Sequence, residues 1–85
     1  QNYPNPFNPV TNIGFRIVDF GFVTITVFDV TGKEITKLIN TDLKAGEYNI
    51  DWNASAYSSG VYFYKLTVTA GREVFTDTKK MVLIK

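Results

Sequence analysis

The chain contains no cysteine and no histidine. Those two absences remove disulfides, Cys/His zinc sites, thiol nucleophiles and Ser-His relays together. A small extracellular domain without disulfides must be held by packing alone. Long hydrophobic runs are also missing. The longest span about four residues, as in Met81 to Ile84, whereas a membrane-spanning helix needs ~20. Neither sign of charge dominates: nine Lys and Arg stand against eight Asp and Glu, for a net charge of +1. Apart from Lys79, Lys80 and Lys85 the basic residues are scattered, so the stripe that nucleic-acid binding requires is absent. Helical periodicity is nearly absent too, with no sustained i, i+3, i+4, i+7 apolar pattern. The chain opens without Met and without a signal peptide, and is expected to be an excised or processed piece.

What is present is a dense apolar composition in a short chain. Hydrophobic residues make up 45% of the 85 positions and aromatics 15%, while charged residues make up 20%. That length allows one domain, residues 1–85, and the composition argues against disorder. A chain this short buries only ~60–65% of its unfolded surface, so the core must be tight.

Period-two alternation rich in Val, Ile, Thr, Phe and Tyr recurs, with a turn signal every ten or so residues. Pro4, Pro6 and Pro9 lack backbone donors and extend the residues before them, and Asn5 and Asn8 set turns. The segment is read as ordered and extended, pinned to the body by Tyr3 and Phe7. Strands are expected over Ile13–Val18, Phe22–Asp29, Glu34–Ile39, Glu47–Asn53, Val61–Ala70 and Val74–Ile84. The inward sets are Ile13, Phe15 and Ile17; Val23, Ile25 and Val27; Tyr48, Ile50 and Trp52; and Tyr62, Tyr64, Leu66 and Val68. In Glu34–Ile39 the register is ambiguous, because Leu38 and Ile39 compete for the core beside Ile35. Asn40–Gly46 and Ala54–Gly60 read as loops, Asp19–Gly21 and Val30–Lys33 as turns, and Ala70–Glu73 as a hairpin. Gly32 supplies a positive φ, and Gly60 is expected to have either positive φ or a close backbone neighbour. The economical way to bury about seven such strands is an all-β, immunoglobulin-like antiparallel β-sandwich, here without its disulfide.

Four segments carry a family likeness. Asn2-Tyr3-Pro4-Asn5-Pro6-Phe7-Asn8-Pro9 resembles the start of the C-terminal sorting domain of the type IX secretion system. Asp29-Val30-Thr31-Gly32-Lys33-Glu34-Ile35 resembles its second-to-third strand turn. Gly60-Val61-Tyr62-Phe63-Tyr64-Lys65-Leu66 resembles its Gly-apolar-Tyr strand, and Lys80-Met81-Val82-Leu83-Ile84-Lys85 its terminal strand. The opening motif, Pro4 to Pro9, is also similar to the immunoglobulin-like domain of flagellar hook-cap proteins, which loosens the tie between fold and function. The sorting-domain resemblance implies a non-catalytic address on a secreted cargo of a Gram-negative bacterium. It implies passage through the periplasm, recognition by the outer-membrane secretion machinery, and release or surface attachment by a sortase-like peptidase. It makes Lys80, Met81, Val82, Leu83, Ile84 and Lys85 the recognition segment, with no cofactor, metal, nucleic acid or small-molecule substrate.

Other readings compete with this one. The acids Asp19, Asp29, Glu34, Asp42, Glu47, Asp51, Glu73 and Asp77 include candidates for a carboxylate pair, but most lie in or beside predicted turns. Trp52, Tyr57, Tyr62, Phe63 and Tyr64 offer a sugar-stacking platform, although alternation assigns most of them to the core and leaves only Tyr57 loose. Asn40, Asp42 and Asp51 offer oxygens to calcium without a calcium-loop spacing. The alternative function is a small extracellular structural subunit that self-associates through strand edges.

Overall fold

The computed structural model describes residues 2–3, 6 and 9–84. The strands are β1 (Asn2–Tyr3), β2 (Val10–Ile17), β3 (Gly21–Asp29), β4 (Glu34–Leu43), β5 (Gly46–Asn53), β6 (Gly60–Ala70) and β7 (Glu73–Leu83). Among the described residues there is no helix. All pairings are antiparallel, in a three-stranded sheet of order β1-β2-β5 and a four-stranded sheet of order β4-β3-β6-β7. The expected sandwich is therefore present, as six long strands and a two-residue β1.

Alternation places the core between the sheets. Ile13, Ile17 and Trp52 from one sheet meet Val23, Ile25, Val27, Tyr62, Tyr64, Leu66, Met81 and Leu83 from the other, all buried. Each expected inward set falls on the core side, with Phe15, Tyr48, Ile50 and Val68 partly covered.

β4 departs from expectation. Asn40, Thr41 and Asp42 are not loop but strand, paired with Thr24, Val23 and Phe22. As an edge strand, β4 has side chains free to meet water, so polar residues continue the ladder without penalty. The competition between Leu38 and Ile39 is resolved by a bulge. Ile25 pairs with Ile39 and Thr26 with Lys37, leaving Leu38 as the extra residue; a second bulge leaves out Ile35 between Thr36 and Glu34. Two residues of a bulged strand oppose one on its partner, so Ile35, Leu38 and Ile39 all pack against the core.

The corners are closed by tyrosines. The Tyr62 hydroxyl, at the start of β6, donates to the Ser58 carbonyl at 2.6 Å. This is the tyrosine corner of immunoglobulin-like sandwiches. Tyr48 repeats the device at the start of β5, donating to the Lys44 carbonyl at 2.6 Å. Gly71 and Arg72 connect β6 and β7, with Gly71 at φ 62° in the first turn position, as a type II′ hairpin requires.

Candidate functional site

The topology gathers the four family-like segments at one end of the sandwich. β6 begins at this end, where Gly60 pairs with Leu83 and Tyr62 with both Met81 and Asp29. β5 ends here as well, and the Ala54 N–H donates to the Pro9 carbonyl at 2.8 Å. Thus Pro9, the β3–β4 turn, the start of β6 and the end of β7 are neighbours. β6 and β7 have 11 residues each, and at ~3.3 Å per residue they separate this end from the Gly71 end by most of the molecule's 40 Å length.

Packing within this end is aromatic. Trp52, only 4% exposed, lies with its ring centroid 5.6 Å from those of both Tyr57 and Tyr62, edge-on to the latter. Tyr57 and Tyr62 are 6.4 Å apart. Tyr57, expected to be loose in its loop, is the third member of this cluster; its N–H also donates to the Ala54 carbonyl at 2.9 Å. The sugar platform therefore does not form from these rings, because their faces are engaged with one another and with the core.

The β3–β4 turn is built around Asp29. Its carboxylate accepts from the Thr31 hydroxyl at 2.6 Å, the Thr31 N–H at 2.9 Å and the Lys33 N–H at 3.1 Å. The Thr31 hydroxyl bond first, and then the Lys33 N–H, hold the Asp29 carboxyl below its ordinary range. Gly32 follows at φ 88°, the positive value expected. Asp29 is one of the turn acids, and its central role is written in Asp-x-Thr-Gly, since an Asp side chain bonds backbone two residues on.

The predicted recognition segment divides by face. Met81 and Leu83 are 0% and 1% exposed and belong to the core. Lys80 and Val82 point outward beside Phe63 and Val61 on β6, Lys80 exposed and Val82 half-buried. Ile84, just past the strand, is 51% exposed. Lys85 lies outside the described residues. In the opening motif Pro6 is exposed and Pro9 half-buried, while Pro4, Asn5, Phe7 and Asn8 lie outside the described residues. Tyr3 does not pin the segment as expected: it is 81% exposed, because it pairs opposite Asn12 on the outward face of β2.

Three further acids have local partners. Glu34 pairs with Lys37 at 3.0 Å, Asp77 with Lys79 at 3.8 Å, and Asp51 accepts from the Asn12 side chain at 2.9 Å. Among the described residues no group of three or more His, Cys, Asp or Glu is placed to hold a metal ion.

The fold is that of a small, cysteine-free antiparallel β-sandwich module. The chain matches the family described as "Secretion system C-terminal sorting domain" over residues 1–85, and it belongs to that family. It is accordingly a C-terminal sorting signal for type IX secretion, which engages that secretion machinery and marks a secreted or cell-surface protein. No curated protein and no solved structure matches the chain.

Proposed function

We propose that this domain carries a cargo protein from the periplasm across the outer membrane of a Gram-negative bacterium, and that the machinery reads the outward face of the segment Lys80–Lys85. In this reading a sortase-like peptidase then releases the cargo or attaches it to the cell surface. The observation that carries the proposal is the division of the terminal strand. Its inward residues Met81 and Leu83 are used by the fold, whereas Lys80, Val82 and Ile84 stand at the outer face of an edge strand.

The test is export of a neutral reporter fused ahead of residues 1–85, in a host with a working type IX system. Truncation after Lys79 would remove buried Met81 and Leu83, confusing recognition with folding. Ile84→Asp and Lys80→Glu change exposed positions instead. The parent fusion should reach the medium or surface, and the doubly substituted fusion should stay in the periplasm while melting within a few degrees of the parent. Full export of the substituted fusion refutes the recognition segment. The alternative of a self-associating subunit is favoured by the position of β4 at the edge of its sheet. It requires the isolated chain to grow in size with concentration.

A further inference from the structure

The two sheets are unequal in a way that leaves one side of the sandwich open. β2 is paired with β5 along all of Val10–Ile17, but β1 meets only Asn12 and Ile13 on its other edge. Among the described residues no strand covers that edge from Gly14 to Ile17. The opposite sheet does not stop short there. β7 runs on past it, and its inward-facing positions change character where the cover ends. Met81 and Leu83 are sealed, Lys79 and Asp77 carry charge, and Phe75 is inward-facing yet 60% exposed. Two hollows fill the gap, one of about 530 Å³ between Arg16–Asp19 and Val68–Phe75, and one of about 290 Å³ between Ile13–Arg16 and Phe75–Lys79. Arg16 and Phe75 line both, so they form one trough along the bare edge of β2.

We propose that this trough seats the polypeptide that immediately precedes Gln1 in the full-length protein, as an extension of β1. The existing pairing supplies both the direction and the register. Asn2 lies opposite Ile13 and Tyr3 opposite Asn12, so each step upstream on β1 is a step downstream on β2. The residue preceding Gln1 then falls opposite Phe15, the second opposite Arg16 and the third opposite Ile17. Residues directly opposite in an antiparallel pair share a face. Phe15 and Ile17 face inward, so the first and third preceding side chains turn into the trough and cover Phe75. The added strand also satisfies the bare backbone groups of Gly14–Ile17, the groups by which strand addition gains its affinity. The inference rests on membership of a C-terminal domain family, which joins the domain to a cargo on this side, and not on the reading of Lys80–Lys85. Its consequence is mechanical: the last residues of the cargo become part of the address.

Amide hydrogen exchange, read by mass spectrometry on the full-length protein and on the 85-residue chain, tests this. Exchange over Gly14–Ile17 should be at least about tenfold slower in the full-length protein, a ratio that a newly formed strand pair readily gives. Phe75→Asp should remove that difference in the full-length protein and leave the melting of the 85-residue chain within a few degrees. Equal exchange in the two proteins overturns the proposal. Protection that appears in the 85-residue chain as its concentration rises also overturns it, since a second copy would then be the occupant. Neither outcome depends on whether the reporter fusion is exported.

Discussion

Tyr62 holds three roles at one position. Its ring is edge-on to Trp52, its hydroxyl reaches the Ser58 carbonyl, and its backbone sits between Asp29 and Met81. Tyr62→Phe keeps the ring and removes the hydroxyl, so it should cost about 0.5–1.5 kcal/mol, the net value of one hydrogen bond. Chemical denaturation would measure it as a lower midpoint with an unchanged slope. Trp52→Ala is a larger loss, ~3–5 kcal/mol for a buried aromatic. A domain of this size holds only about 4–13 kcal/mol in total, so that variant should melt at least about 10 °C below the parent by circular dichroism. Gly60 shows a different cost. Its φ is 154°, and nothing lies within 4 Å of where a Cβ would stand, so the strain is conformational and not steric crowding. Gly60→Val should destabilise by ~1 kcal/mol or more; an unchanged melting curve would show that the backbone relaxes freely there. Asp29 makes the turn pH-sensitive. Its carboxyl is held below the ordinary range, so its contribution is complete above the unfolded aspartate pKa of about 4. It is lost as pH falls through the lower folded value. The melting temperatures of the parent and Asp29→Ala should therefore differ at neutral pH and converge in acid.

At the scale of elements, legibility followed exposure. β3, β5 and β6 are closely legible because each turns one face to the core, which forces strict alternation. β4 could not, because an edge strand exposes most of its side chains and its hydrophobic signal is broken by two bulges at Ile35 and Leu38. Asn40-Thr41-Asp42 looked like loop chemistry and is strand by virtue of pairing with β3, a long-range fact that no local pattern carries. Lys80 to Leu83 is legible as strand, but its division between buried Met81 and Leu83 and outward Lys80 and Val82 requires the facing sheet. Tyr57 reads as loose from sequence because the fold of its loop back onto Trp52 is equally non-local. Phe75 illustrates the converse: its position predicts burial, and it is exposed because the strand that would cover it is only two residues long among the described residues.

At the scale of the whole molecule, the two ends of the sandwich differ in what they gather. The end holding Pro9, Asp29, Gly60 and Leu83 gathers the described parts of the family-like segments, whereas the far end consists of three short connections, Val18–Phe20, Lys44–Ala45 and Gly71–Arg72. If the sandwich is a rigid carrier presenting one end to the secretion machinery, charge should matter at one end and not at the other. Lys80→Glu and Arg72→Glu each reverse one exposed basic side chain and change the net charge by the same amount. They therefore alter any general attraction to an anionic surface alike. They differ in placement, one on the outer face of β7 near its end and the other in the turn that begins that strand, separated by most of β7. A charge so far removed is screened at physiological salt, where the Debye length is ≈ 8 Å. Exported reporter, measured in the medium with the folded fraction checked by protease resistance, should fall at least a few-fold for Lys80→Glu and stay near the parent for Arg72→Glu. Equal losses from both would replace a localised contact with overall charge as the basis of sorting. Export reduced only by Arg72→Glu would move the recognised surface to the other end, beside Phe75 and the bare edge of β2.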